Sequence, residues 1–374
     1  LKISAARAFI NGAITQATIE IAGPRIVDVT LDFESGADLR ISESEGVLVP
    51  GLIDLQINGG FGIDFQTAEP TEIEIFRQKV LRSGVTGFLP TLITASHENI
   101  MSQIEKIDLV SQVGQSDVLG VHLEGPYISQ QARGTHELSQ IREINLSEIS
   151  EIIKTQRLKM ITLAPELEGA GQAIEQLVQN EVIVSLGHSQ ASSAQTLAAV
   201  EQGARMITHI FNAQSGVHHR ESGMASQALI NQNLFLGIIA DLHHLTSETI
   251  KLIFQTAANR AVLVTDAISA MGMPDGTYQL GSQSVTVKTG QPPMRADGVL
   301  AGSAVRLDEC IKNVIDCGVS PELAIAAATS IPAKVLGLTD RGEIKRGLRA
   351  DLALLSETGR VSKVWHLGEE VALD

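Results

Sequence analysis

Apolar residues along this chain follow two rhythms. Eight apolar runs, Leu52–Ile57, Thr86–Leu92, Val118–Leu123, Met160–Ala164, Val182–Leu186, Met206–His209, Leu234–Ala240 and Ala261–Thr265, alternate with segments such as Thr71–Arg82 and Ala191–Gln202, whose apolar positions recur every three or four residues. A near-continuous apolar run suits a strand covered on both faces, and the longer spacing suits a helix with one buried stripe. The alternation predicts βα units around a parallel sheet. Eight of them favour a closed (β/α)₈, TIM-like barrel over a doubly wound sheet. The second rhythm lies at the two ends. Ala17–Ala22 and Arg25–Val29 near the start, and Ala350–Leu355 and Val361–Trp365 near the finish, are short β-rich pieces parted by turn residues. Neither end carries enough strands to fold alone. The prediction is a small, discontinuous β-sandwich domain from residues 1–49 and 346–374, with the barrel occupying 50–345. The insert Tyr278–Gly298, rich in Gly, Thr and Val, reads as a hairpin or loop over the barrel mouth.

The length supports two units, since 374 residues exceed the ~250 typical of one such barrel. A hydrophobic fraction of 44% with 19% charged residues is that of a globular chain. The net charge of −15 excludes non-specific binding to nucleic acid or to an anionic membrane, both of which need a positive field. An anionic ligand would require a local cluster of cations. With aromatics at 3%, there is little material for stacking long polymers, so a small-molecule substrate is expected. The start, Leu1-Lys2-Ile3-Ser4, lacks a basic segment followed by an apolar run, and no apolar stretch reaches the ~18 residues of a membrane span. Cys310 and Cys317 form no disulfide framework and no CxxC pattern. A cytoplasmic location is expected.

In a (β/α)₈ barrel the chemistry gathers at the C-terminal strand ends. Five runs close on polar residues there: Asp54-Leu55-Gln56-Ile57-Asn58, His122-Leu123-Glu124, Gly187-His188-Ser189, Thr208-His209 and Val264-Thr265-Asp266. A single histidine at such a place is more often a hydrogen-bonded structural residue, and a single aspartate a helix cap. One carboxylate and two imidazoles at the ends of different strands form a set that suits Zn²⁺ or Fe²⁺ and leaves a position open for water. Glu124, His188 and His209 are therefore the candidate metal ligands. Asp266 is the candidate general base and acid, or a second ligand, or both. Strand one offers Gln56 and Asn58 where two-metal barrels often place His-x-His. Amides are poor zinc ligands, which favours one tightly held metal and leaves the pair as candidates for a weaker second metal or for substrate contact.

The runs Val49-Pro50-Gly51-Leu52-Ile53-Asp54-Leu55-Gln56-Ile57-Asn58-Gly59, His122-Leu123-Glu124-Gly125-Pro126-Tyr127, Gly187-His188-Ser189, Thr208-His209-Ile210-Phe211-Asn212-Ala213 and Val264-Thr265-Asp266 together resemble the N-acetylglucosamine-6-phosphate deacetylases of the amidohydrolase superfamily. The resemblance runs over nearly the whole chain. It implies hydrolysis of the N-acetyl group of an amino-sugar 6-phosphate to acetate and free amine, with a divalent metal. It also implies that His136, in Arg133-Gly134-Thr135-His136, helps to polarise the scissile carbonyl beside Thr135. Asn212, Ala213, Val299, Leu300 and Ala301 would line the sugar pocket. Arg220, Asp241 and His244 would form the phosphate end, with part of that end supplied by a neighbouring subunit, hence a homodimer. In Ala240-Asp241-Leu242-His243-His244 two histidines compete for the phosphate, and spacing favours His244. His97, His218, His219 and His366 are read as surface or structural residues.

Three other readings compete. A deacetylase for the galactosamine epimer would differ at one hydroxyl. A glycoside hydrolase would use Glu124 with Glu166 or Asp266 and no metal. A scaffold that had lost its chemistry would not need the complete ligand set. A cyclic-amide hydrolase is disfavoured by the missing His-x-His.

Overall fold

The computed structural model of the chain describes residues 1–111 and 117–373. The chain starts with five strands, β1 (Lys2–Ile10), β2 (Ala13–Ala22), β3 (Arg25–Thr30), β4 (Leu39–Ile41) and β5 (Val47–Pro50). The barrel follows as β6 (Leu52–Ile57), a small hairpin β7 (Gly59–Gly60) and β8 (Ile63–Asp64), then β9 (Val85–Ile93), β10 (Val121–Glu124), β11 (Leu158–Leu163), β12 (Ile183–Leu186), β13 (Met206–Ile207), β14 (Phe235–Ile239) and β15 (Ala261–Val264). The parallel order β15-β14-β13-β12-β11-β10-β9-β6 is closed by a parallel bridge between Ile57 and Ala267 and by the Asp266 amide donating to the Gln56 carbonyl at 2.8 Å. Eight strands and their intervening helices make the (β/α)₈ barrel that the apolar rhythm predicts. β6 and β9 are buried at every position, the pattern of strands covered by side chains inside and helices outside.

The helices begin where local chemistry lets them. Pro70 opens Pro70–Leu81 at a position where its missing N–H leaves nothing unpaired, and the Ser192 hydroxyl caps Ser193–Glu201 through the Gln195 amide. Several predicted strands are shorter than their apolar runs, and for two of them the cause is local. β10 starts at Val121 rather than Val118 because Gly120 turns left-handed (φ 137°), where a Cβ would lie 2.2 Å from the Lys159 side chain. β13 stops at Ile207 because the Thr208 hydroxyl bonds sideways to Thr162 and Ser185, at 2.6 Å each, and His209 enters the left-handed region. These hydroxyls, with His122 bonded to Thr162 at 2.8 Å, make a polar layer inside the barrel.

After β15 the chain forms three antiparallel strands, β16 (Gly276–Leu280), β17 (Gln283–Val287) and β18 (Met294–Arg295), so the predicted hairpin is a three-stranded flap. Helices Leu307–Asp316, Pro321–Ala326 and Ser330–Val335 lead back to β19 (Leu352–Leu355), β20 (Val361–His366) and β21 (Glu369–Glu370). The ends meet here. β19 pairs antiparallel with β5, giving the order β21-β20-β19-β5-β1-β2-β3, with β4 also on β1. Ile3, Ile19, Ile26, Leu48, Leu352 and the fully buried Trp365 share one apolar cluster. Among the described residues no helix is long and apolar enough to cross a membrane.

Candidate active site

A cavity of about 400 Å³ opens at the C-terminal ends of the barrel strands, and Glu124, His188, His209 and Asp266 all line it. Each closes or follows a different strand: Glu124 ends β10, and His188, His209 and Asp266 each stand two residues beyond β12, β13 and β15. The last three have φ values of 46°, 28° and 48°. That conformation costs a residue with a Cβ on the order of 1–3 kcal/mol, so the surrounding contacts must over-determine it. All three line the cavity from these turns.

Three atoms converge. The Nε2 atoms of His188 and His209 lie 3.0 Å apart, at 3.2 and 2.9 Å from the same Glu124 oxygen, Oε1. The His188 ring is set by its far nitrogen, which donates to the Ala132 carbonyl at 2.9 Å and so leaves the lone pair on Nε2. Gly134 (φ 54°) allows the close approach, since a Cβ there would stand 3.3 Å from the His188 ring. Two imidazole nitrogens and a carboxylate oxygen this close, all buried, attract one another only through a shared proton or a cation. The donor set suits a borderline divalent ion, and among the described residues it is the group of its kind whose ligand atoms all fall within 4.8 Å. With protons rather than a cation between them, burial opposes the Glu124 charge, but the hydrogen bonds and charges of the protonated histidines outweigh it and hold the carboxyl well below its ordinary range.

Gln56 and Asn58 complete the floor. The Gln56 amide nitrogen donates to Glu124 Oε1 at 2.9 Å and to Asp266 Oδ1 at 3.2 Å, and the Asn58 amide donates to Asp266 Oδ1 at 2.7 Å. A neutral amide thus sits between two carboxylates, where a second cation would otherwise be needed to offset their repulsion. Burial, and then the Glu124 charge, push the Asp266 carboxyl up to about 6. Behind it, Asp54 accepts from the Thr265 hydroxyl at 2.7 Å and so ties strand eight to strand one.

His136 lines the cavity from the long loop after β10, its ring 4.4 Å from that of His188. Burial, then the neighbouring His188, push it down to about 3, so it is neutral. Its Nδ1 faces Thr94, taking the backbone N–H at 3.4 Å with the hydroxyl at 2.8 Å, which leaves Nε2 to carry the proton. Thr94 escaped the sequence reading because it is an ordinary residue at the end of β9, and only the fold brings it to His136.

Thr135, Asn212, Ala213, His244, Val299 and Leu300 also line the cavity, together with Leu280 of the flap. Gln56 is buried beneath the lining, and Ala301 packs into the flap core between Leu300 and Gly302. His244 faces the cavity while His243 faces a separate one; Asp241 accepts from the His244 ring at 2.7 Å and orients it. Arg220 is the residue the structure does not bring in. It lies on an exposed segment with His218, His219 and Glu221 and is not part of the cavity wall. Among the described residues no arginine or lysine lines the cavity of a single chain. Glu166 also stays outside it, with both carboxylate oxygens bonded to residues 189 and 190.

Comparison with known proteins places these features. A model of the amidohydrolase family matches residues 47–371. N-acetylglucosamine-6-phosphate deacetylase from Caenorhabditis elegans is 36% identical, covering 97% of this chain and 92% of that protein. N-acetylgalactosamine-6-phosphate deacetylase from Escherichia coli O157:H7 is also 36% identical, over 92% of this chain and 93% of that protein. Among solved structures, an aspartate-to-alanine mutant of N-acetyl-D-glucosamine-6-phosphate deacetylase from Mycobacterium smegmatis, in complex with N-acetyl-D-glucosamine 6-phosphate, matches with a TM-score of 0.94 and 31% identity, covering 100% of this chain and 99% of that one.

Proposed function

The chain belongs to the amidohydrolase family and, within it, to the N-acetylglucosamine-6-phosphate deacetylases, and on that premise we propose how its residues carry the reaction. The chain hydrolyses the N-acetyl group of N-acetyl-D-glucosamine 6-phosphate, giving acetate and D-glucosamine 6-phosphate. The observation that carries the mechanism is the meeting of Glu124, His188 and His209 with Asp266 in one buried cavity. One divalent cation per subunit, held by those three and with zinc the best match to their donors, would supply Lewis acidity and make water acidic enough to attack near neutral pH. Asp266 takes the proton from the attacking water and returns it to the departing amine. Its raised carboxyl, near the operating range, suits both directions of transfer. His136, neutral and with the proton on Nε2, donates to the acetyl carbonyl oxygen as charge develops there. Gln56 and Asn58 hold the two carboxylates in place, which supports a single tightly bound metal over a pair.

Asn212, Ala213, Thr135, Val299 and Leu300, with the buried Ala301 behind them, shape the sugar pocket. His244, oriented by Asp241, meets the phosphate. Because among the described residues no lysine or arginine lines the wall of one chain, we assign Arg220 to the phosphate of the neighbouring subunit in a homodimer, which would restore the positive charge that an acidic protein needs there. The free, buried Cys310 and Cys317 fit a reducing cytoplasm. The division into a β domain of residues 1–49 and 346–374 and a barrel of 50–345 belongs to the same proposal.

Assays of metal-loaded enzyme on the N-acetylglucosamine and N-acetylgalactosamine 6-phosphates, with elemental analysis of the same preparation, test this reading. A clear preference for the gluco epimer with one zinc per chain is expected. Preference for the galacto epimer, the substrate named for the E. coli relative, would overturn the substrate assignment while leaving the chemistry in place.

A further inference from the structure

We infer that Glu166 is a positioning residue for His188, an inference that rests on reading His188 as a metal ligand. Glu166 lies in the loop after β11 and His188 in the loop after β12, so neighbouring strands of the barrel carry the two. The turn that holds His188 is left-handed at a residue with a Cβ and does not keep that shape by its own preference. Both oxygens of Glu166 grip it. Oε2 accepts the Ser189 hydroxyl at 2.6 Å, and Oε1 accepts the Gln190 backbone N–H at 2.6 Å. The Ser189 hydroxyl oxygen in turn accepts the Ala191 N–H at 2.9 Å, so one carboxylate and one hydroxyl brace three consecutive residues past the ligand.

Apart from the His188 ring on the Ala132 carbonyl and the Ser215 hydroxyl on the Ala191 carbonyl, the other bonds on this turn run between backbone groups. The Ser129 N–H donates to the His188 carbonyl at 2.8 Å, and the Ser189 N–H donates to the Ala213 carbonyl at 3.0 Å. Such contacts depend little on which side chains are present. The Glu166 bonds do, and an ionised acceptor makes them roughly twice as strong as neutral ones. Glu166 faces a groove beside the catalytic cavity, lined by Gln131, Arg142 and Gln190, and contributes nothing to the cavity wall. It therefore acts through His188. Releasing the turn lets the imidazole drift from its place near Glu124 Oε1, and metal bonds tolerate only about ±0.2 Å of such drift.

Zinc dissociation constants, measured by competition with a chromogenic chelator, separate this role from simple structural support when paired with melting temperatures of the metal-free and zinc-loaded forms. Glu166→Ala is expected to weaken zinc binding by roughly 10- to 100-fold, as loss of a ligand's outer partner typically does. Glu166→Gln, which keeps an acceptor for one of the two donors, and Ser189→Ala, which removes one bond, are expected to weaken it less. The melting temperature should fall more in the zinc-loaded form than in the metal-free form. Zinc binding within about twofold of wild type in Glu166→Ala, or equal losses of melting temperature in both forms, would overturn the inference. If Glu166→Ala does not fold, the same thresholds apply to Glu166→Gln and Ser189→Ala. A wild-type enzyme that takes up no zinc would instead overturn the metal reading of His188.

Discussion

The two ends of the catalytic cavity are built differently. At the candidate metal end, Glu124, His188, His209, Gln56 and Asp266 are buried, stand at or just beyond barrel strands, and meet one another at polar contacts of 2.9 to 3.2 Å. At the phosphate end, His244 and its Asp241 are set in place, but the nearest assigned cation, Arg220, is exposed on a loop away from the wall. The proposed chemical steps therefore rest on groups that one chain buries and brings together by itself. Recognition of the anion rests on groups that a second chain is proposed to bring. A site can thus be complete for bond-breaking and incomplete for substrate capture.

The most severe test of the metal end is removal of its ion. Dialysis against a chelator should abolish deacetylation, and added zinc should restore it. Deacetylation that persists without metal would overturn the metal role of the three ligands. Next, Asp266→Asn should leave the zinc content near one per chain yet lower kcat by more than ~10²-fold, because the amide cannot accept the proton. Loss of zinc together with rate would recast Asp266 as a ligand.

The buried histidines add a prediction on stability. His136 is held down to about 3, and His122 to about 4, in both cases chiefly by burial. A base held below its unfolded value of ~6.5 gives stability that is full above that value and is lost as pH falls towards the folded one, because only the unfolded chain takes up the proton. Asp54, raised to about 7 by burial, has the opposite sign, its stabilisation being lost as pH rises. The effect of His136 is therefore read as a difference. Between pH 6.5 and pH 4, metal-free His136→Asn should gain on wild type by up to about 1.4 kcal/mol per pH unit in urea unfolding. A constant difference would show that His136 is solvated or already charged.

The smallest effect is expected at the phosphate end. Arg220→Ala should raise KM by roughly tenfold with kcat little changed, the mark of an interaction shared by ground state and transition state. An unchanged KM would remove this segment from the anion site and sharpen the contrast between the two ends.

The same contrast governs what could be read from the sequence. Glu124, His188, His209 and Asp266 were legible because each interrupts or follows an apolar run, and barrel geometry puts all such interruptions at one mouth. Arg220 follows no run, and in the proposed dimer its placement would depend on contacts outside one chain. Gln56 was legible as a weak zinc ligand, but not as the donor between two carboxylates, since Glu124 and Asp266 lie 68 and 210 residues away from it. By sequence Glu166 is a possible partner carboxylate of Glu124 for glycoside hydrolysis. Its own loop carries no sign that its oxygens face the next strand's turn.

The amino-acid order by itself determined the eight βα units, the pairing of the two ends and the candidate ligand set, because hydrophobic period and strand-end polarity are local properties that burial enforces. Tertiary structure decided which residues brace which. It placed Thr94 against His136, Glu166 against Ser189 and Asp54 against Thr265, and it left Arg220 outside the cavity. Hydrogen bonds form between atoms within about 3 Å whatever their separation along the chain, and that distance exists only once the barrel has closed.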